Sequence, residues 1–400
     1  MNEPESSSIV ADKQSSESNT IFSDPRADTK RYPPNMLGMA LLLAECIRDW
    51  HVFVEDIGKS FYYDGTRWRL DKSENNLHKL ILEFVLYLES LVERTDSAGT
   101  KGSGKSKDSD ASGDPYEAIT NTLLSPGSWS SLIKAYKTCN FIEHSFLDNN
   151  GLQRENLGLF NCLNGTLELN TMEFYEHQPG DFITKISGVE YDEDAKCEEW
   201  LNFIDQIMCC DKELARYLQK VCGYALTADT RLECMFILYG PRTRNGKSTF
   251  VDALLNVFGD YGKSVQPATI AQRGSSNGSA PSSDIARLVG SRFVSISEPP
   301  AGLNMDGARI KQITGNDKIA SRFLFNEFFE YIPQFKMVVN TNHLPNIDDD
   351  TLFASERLKV VPFNNFFGDK PNKGLKHLFR EPGNMSAILN WLLEGLRLYK

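Results

Sequence analysis

Apolar positions recur along this chain with two periods, and most elements can be placed from them. From residue 39 to 50, Met39, Leu42, Leu43, Cys46 and Ile47 fall at three-to-four spacing, which predicts a helix. Residues 61–70 (Phe-Tyr-Tyr-Asp-Gly-Thr-Arg-Trp-Arg-Leu) set two aromatic-rich arms around an Asp-Gly turn and read as a β-hairpin. Further helices are expected over 76–92 and 129–136, a second hairpin over 157–169 around Asn164-Gly165, and a strand over 184–191. Between 195 and 226 the spacing is helical again, through Trp200, Phe203, Ile204 and Ile207 and then Leu214, Tyr217, Leu218 and Val221.

A continuous apolar run follows at Phe236-Ile237-Leu238-Tyr239, then a Gly-rich turn, then a helix marked by Val251, Leu254, Leu255 and Val257. Strands are expected over 291–298, 335–345 and 358–363, a hairpin over 319–332 with Asn326-Glu327 near its tip, and a last helix over 391–400. Strand and helix alternate from 236 onward, so the fold class is α/β, with a central mostly parallel sheet flanked by helices. A smaller α+β region precedes it. The expected division is a disordered tail (1–32), an N-terminal α+β domain (33–195), a helical linker (196–230), the core (231–364) and a C-terminal helical segment (365–400).

Composition sharpens this. At 400 residues, two or three domains are expected. Residues 1–32 are polar and Ser-rich, unlike a secretory signal, and residues 95–115 form a Gly/Ser/Lys/Asp insert that reads as flexible. No apolar run reaches membrane-spanning length, so no membrane partner is expected. The eight cysteines include no Cys-x-x-Cys pair, and Cys209 and Cys210 are adjacent. They read as reduced, mostly buried thiols of an intracellular, cytoplasmic protein. A net charge of −11 excludes a surface basic all over but leaves room for a local basic channel.

The chemistry centres on Gly240-Pro-Arg-Thr-Arg-Asn-Gly-Lys-Ser-Thr249. A loop between strand and helix closes backbone N–H groups on an anion if glycines let it. A lysine then reaches the outer phosphates and a hydroxyl binds Mg2+. Gly240, Asn245, Gly246, Lys247, Ser248 and Thr249 are therefore the candidate ATP-binding residues. Five residues, one more than usual, separate Gly240 from Gly246. Gly104-Lys105-Ser106 lacks a strand before it and a helix after it, and is rejected. Glu298 ends the 291–298 strand, where an acid binds Mg2+ or orients the attacking water; an ordinary acid at a strand exit is the alternative. The 335–345 segment ends in amides, and Asn342 there suits a γ-phosphate or water without adding negative charge. His343 beside it reads as structural. Arg357, before the last strand, is placed to reach a neighbouring subunit's γ-phosphate.

This series, together with Lys311-x-x-Thr314-Gly315-x-Asp317, the aromatic hairpin, and Thr341-Asn-His-Leu-Pro345, resembles the superfamily 3 helicase domain. More narrowly it resembles the phage and plasmid primase–helicases related to the poxvirus NTPase/primase. Tyr63-Asp64-Gly65 with Trp68, and Asn164-Gly165, are similar to that family's N-terminal helicase-associated region. The resemblance implies an AAA+-like P-loop ATPase core and a homo-hexameric ring acting on single-stranded or forked DNA, with a primase as possible partner. It implies ATP and Mg2+ at Lys247, Ser248 and Glu298, a sensor role for Asn342, and Arg357 as a finger in trans. Lys311, Lys318 and Arg322 are the candidate DNA contacts. Glu356 stands where a first arginine is common, Asn316 replaces a frequent glycine, Ser297 sits where some relatives place a second acid, and the hairpin tip lacks a lysine. No primase catalytic domain is expected, and the chain reads as ending within a longer C-terminal region. The leading expectation is an ATP-dependent DNA helicase of phage, prophage or plasmid replication. A remodelling or loading ATPase that does not unwind, or a decayed prophage remnant, is the second; a nucleotide-gated module without turnover is the third.

Overall fold

The computed structural model describes residues 21–23, 31–98, 115–149, 158–272, 283–322, 329–347, 349, 351–368, 372 and 374–400. The chain divides into two compact units, one built from residues 1–48 and 74–140, the other from 49–73 and 141–400. Most of the tail, the insert and the 319–332 hairpin tip lie outside the described residues.

The first unit is helical: α1 (Met36–Ile47), α2 (Asn75–Ala98), α3 (Pro115–Leu123) and α4 (Trp129–Cys139). Asn35 caps α1, its side chain accepting from the Gly38 amide at 2.9 Å. The apolar stripe of α1 (Met39, Leu42, Leu43, Ile47) meets Leu77, Ile81 and Phe84 of α2 and Tyr136 of α4 in one core. Phe22, from the stretch read as a tail, lies within 5.3 Å of the Phe84 ring and is buried.

The second unit begins with β1 (His51–Val54), β2 (Lys59–Tyr63) and β3 (Trp68–Leu70), which with β4 (Phe141–Ile142) make a sheet of order β3-β2-β1-β4. The expected Asp-Gly hairpin is the antiparallel β2–β3 pair, with Tyr63 opposite Trp68. The Asp64 carboxylate closes its turn by accepting from the Thr66 and Arg67 amides at 2.9 Å each. Arg67 then pairs with Asp260, and Asn161 donates to the Thr66 carbonyl at 2.9 Å. The second hairpin is β5 (Leu159–Cys162) with β6 (Gly165–Glu168), extended by β7 (Glu173–Tyr175).

The strand expected over 184–191 does not form. The segment runs beside β5 but joins it only at isolated points, Ser187 N–H to Asn161 O at 2.8 Å and Leu163 N–H to Val189 O at 2.9 Å. Its middle is turned instead against the end of a helix, where the Gly188 N–H bonds the Val257 carbonyl at 3.1 Å. That tertiary contact overrides the local β pattern.

Helices α5 (Glu198–Ile207) and α6 (Lys212–Leu226) follow, separated at Cys209 and Cys210, whose φ values of 54° and 62° end helical geometry. All eight cysteines are free thiols; Cys162, Cys197, Cys222 and Cys234 are buried, whereas Cys209 and Cys210 are exposed.

The remaining elements are β8 (Met235–Tyr239), α7 (Lys247–Phe258), β9 (Gly262–Val265), α8 (Ser283–Ala286), β10 (Phe293–Ser297), β11 (Asn304–Met305), α9 (Gly307–Thr314), β12 (Ile319–Ser321), β13 (Phe329–Tyr331), β14 (Lys336–Thr341), β15 (Asn346–Ile347), α10 (Thr351–Ala354), β16 (Leu358–Pro362), α11 (Leu375–Leu378) and α12 (Pro382–Tyr399). Five of these strands form a wholly parallel sheet of order β16-β8-β14-β10-β9. Its three central strands, β8, β14 and β10, are almost wholly buried, as a position between helix layers requires. Phe236 and Leu238 of β8 enter the core shared with α6, α7 and α12. Met235 and Ile237, pointing the other way, enter the core shared with α9 and α10. The sheet is thus a rigid central layer, and all its strand C-termini emerge on one edge.

Candidate active site

Ligands of parallel α/β sheets gather at the carboxyl edge of the strands, because loops there leave the sheet and helix N-termini point inward. Here the register aligns three neighbouring strand ends. Thr341 of β14 lies opposite Tyr239 of β8, and Asn340 lies opposite Ser297 of β10. Each strand is followed at once by a residue singled out from the sequence: Gly240, Asn342 and Glu298.

The loop after β8 is held open by its glycines. A Cβ on Gly240 would fall 2.4 Å from the Phe363 carbonyl oxygen and 2.2 Å from Asn245 Nδ2. Gly246 has a φ of 89°, and a Cβ there would stand 2.5 Å from Ile207 Cγ2 on α5. The extra loop residue is absorbed by Arg244, at a φ of 57°. Its carbonyl accepts from the Phe367 amide at 2.9 Å, tying the loop to the segment after β16. Asn245 is buried and braces the turn by donating to Arg242 O at 2.7 Å. Gly246 caps α7 with no side-chain acceptor, so the amides of the first turn remain directed at the loop's hollow.

Lys247 Nζ sits in that hollow, donating to Asn342 Oδ1 at 2.7 Å and to Gly240 O at 3.2 Å. Asn342 is aimed by an abrupt turn after β14. The Thr341 hydroxyl donates to His343 O at 2.7 Å and accepts from the His343 amide at 3.0 Å, so His343 serves through its backbone while its side chain is exposed. Burial pulls the Lys247 ammonium down to about 8, and the nearby Glu298 carboxylate partly opposes this. Glu298 is itself exposed, in the left-handed region at a φ of 50°, where a non-glycine side chain is held only by its surroundings. Its amide bonds Asn340 O at 2.9 Å, which fixes the exit from β10 beside β14. Ser248 is exposed and Thr249 half-buried on the first turn of α7.

A pH dependence follows. A lysine with a pKa of about 8 loses its charge as pH rises through 8, and with it its attraction for an anion. Affinity of this site for a phosphate-bearing ligand should fall roughly tenfold between pH 7 and pH 9. A lysine at its ordinary pKa would leave it level. Titration calorimetry with a non-hydrolysable triphosphate at both values checks this.

On the far side of the loop lies a cavity of about 280 Å3. Asn202, Phe203 and Gln206 of α5 line one wall, Gly246 and Thr249 the floor, and Phe367 the other side. It is not legible from the sequence, because the walls come from segments far apart in the chain. The only signal available was that α5 carries amides on the same turn as its core residues.

Arg357 is not part of this constellation. It precedes β16, whose neighbour β8 runs parallel to it, and its carbonyl bonds the Met235 amide at 2.8 Å at the start of β8. It therefore lies at the amino edge of the sheet, ~16 Å of strand from the loop. Its guanidinium pairs with Glu233 and donates to Thr314 Oγ1 at 3.0 Å. Neither Glu233 nor this use of Thr314 was evident from sequence. Of the candidate DNA contacts, Lys311 is engaged by Asp349 at 2.7 Å and Thr351 at 2.6 Å. Lys318 is exposed and Arg322 half-buried, flanking β12. β12 and β13 form the expected antiparallel pair. Among the described residues no cluster of three or more His, Cys, Asp or Glu side chains could bind a metal ion alone, and no helix is long and apolar enough to cross a membrane.

Residues 41–209 match the family described as D5 N terminal like, and residues 238–357 match a family of unknown function, DUF5906. A protein of Acanthamoeba polyphaga mimivirus named "Putative helicase L207/L206" is 31% identical over 216 residues, covering 53% of this chain and 22% of that protein. The likeness to viral primase–helicases holds. "Putative helicase 022R" of Frog virus 3 is 30% identical over 162 residues, 39% of this chain and 16% of the relative. The chain thus spans less than a quarter of the length of these curated relatives. A solved structure, the apo C-terminal region (305–718) of NrS-1, superposes with a TM-score of 0.50 over 89% of this chain and 71% of that one, at 12% identity, and so shares the fold.

Proposed function

We propose that this chain is an ATP-dependent DNA helicase of superfamily 3 type, acting in phage or viral replication as a ring that hydrolyses ATP between subunits. The observation that carries the reading is the convergence of the Gly240–Thr249 loop, Lys247, Asn342 and Glu298 at three aligned strand ends. The sheet order supports an AAA+-like core, since the loop-bearing β8 lies between β16 and β14, away from the next strand in sequence, β9. The names of the viral relatives support the helicase class.

In this reading the amides of the loop and of the first turn of α7 receive the phosphates, and Lys247 exchanges Asn342 and Gly240 for phosphate oxygens. Asn342, released, is free to hydrogen-bond the terminal phosphate or the attacking water. Glu298 orients that water and draws off its proton. Ser248 and Glu298 are the residues that would hold Mg2+, which when bound neutralises charge developing on the phosphates. The adjacent cavity takes the base, stacked between Phe203 and Phe367 and hydrogen-bonded by Asn202 and Gln206. Replacing both amides by alanine is expected to raise KM for ATP about tenfold with kcat kept within about twofold. Steady-state phosphate release measures both.

Phosphate release with and without single-stranded DNA, together with displacement of a strand from a forked duplex, tests the whole reading. Absence of hydrolysis overturns it. Hydrolysis without unwinding on any fork moves the protein to the second reading, an ATPase that loads or remodels a replication partner. The engagement of Lys311 by Asp349 and Thr351 favours that alternative, since it withdraws one cation from DNA.

A further inference from the structure

Glu233 is a half-buried carboxylate with two arms. One oxygen pairs with Arg357 Nη2, while the other accepts from Asn316 Nδ2 at 3.2 Å. Arg357 is further held by Thr314 Oγ1 at 3.0 Å and by the Glu233 carbonyl at 3.4 Å. Asn316 is held in turn by Thr230, whose hydroxyl donates to Asn316 Oδ1 at 2.7 Å. Thr230 and Glu233 bracket one turn, closed by the Glu233 amide on Thr230 O at 2.9 Å, and Glu233 sits there at a φ of 47°. The carboxylate is thereby fixed just ahead of β8. Asn316 lies between α9 and β12, immediately before Lys318 and Arg322.

We infer that Glu233 is a positioning residue that couples Arg357 to the loop leading into the β12–β13 hairpin. The inference rests on the reading of Arg357 as a finger for a neighbouring subunit's nucleotide. The Arg357 and Glu233 side chains are 19% and 37% exposed, so the pair is within reach of solvent and of an incoming anion. The pair uses one carboxylate oxygen and is open to solvent, and a guanidinium so held exchanges one oxyanion for another. When a neighbour's terminal phosphate takes the guanidinium, one arm of Glu233 is left to water, and the carboxylate no longer fixes Asn316 against the arginine. Conversely, nucleic acid drawing on the 316–322 segment pulls Asn316 from Glu233 and loosens its hold on Arg357. Linkage makes the two effects reciprocal: nucleotide in the neighbouring site and DNA at the hairpin each ease the other's binding.

The test compares ATP turnover with and without single-stranded DNA for wild type, Glu233→Gln, Asn316→Leu and the double variant, each checked by thermal melting. Wild type is expected to be stimulated by DNA. Each single variant is expected to lose at least half of that stimulation ratio, and the double variant no more than either single, because both changes cut one device. If a variant does not fold, Thr230→Val frees Asn316 without altering charge and is expected to lower the ratio likewise. Absence of stimulation in wild type, unchanged ratios in folded variants, or losses that multiply in the double variant overturn the coupling. The finger reading fails separately, if Arg357→Ala keeps full turnover.

Discussion

Lys247→Ala is expected to lower ATP turnover by ~100-fold or more, the usual effect of removing a preorganised charge from the transferring phosphoryl group. The prediction is strict because nothing nearby replaces that ammonium: within the described residues of the hollow, the groups it touches are the Asn342 and Gly240 oxygens, both acceptors. Phosphate release at saturating ATP, with circular dichroism showing an intact fold, measures it. Turnover that survives in the folded variant places the chemistry elsewhere. Asn342→Ala should separate from it. That variant frees the lysine of its resting partner, so nucleotide binding persists while turnover drops.

Arg357→Ala carries the second large effect, a loss on the order of 1,000-fold if the residue completes a neighbour's site. Its distance from the loop in its own chain makes the experiment discriminating. A subunit lacking Lys247 still offers its arginine, and a subunit lacking Arg357 still offers its loop. Mixing two inactive proteins, Lys247→Ala and Arg357→Ala, should therefore restore part of the activity, since some interfaces then contain both residues. If Arg357 only braces β16 through Glu233 and Thr314, the mixture stays inactive.

The site's spine was legible because its signals are local. An apolar run long enough for a buried strand, two glycines that no other residue can replace, and a helix-period segment behind them sit within about twenty-five residues of one another. Glu298 and Asn342 were legible for a related reason: each is a polar residue at the exit of a strand, and a parallel sheet brings such ends together. The segment 184–191 looked like a strand because alternation reports half-burial, which its packing against α7 also produces. Glu233 and the wall of the cavity were illegible for the opposite reason. An acid before a strand is unremarkable until its two partners, 83 and 124 positions away, are brought beside it.

The contact of Gly246 with Ile207 has a bearing on how this protein can be divided. The D5-like match ends at residue 209 and the second family begins at 238, which invites treating them as separable modules. Yet α5, the last helix of the first match, closes on the loop glycine so tightly that not even a methyl group fits between them. The floor of the cavity falls in one family, one wall in the other, and Phe367 in neither. The seam between the two sequence families runs through the middle of this cavity, where the proposed function seats the base. A fragment beginning at 238 would keep every residue of the Gly240–Thr249 loop but present half a pocket, and transplanting either module alone would separate the proposed base site from the proposed phosphate site.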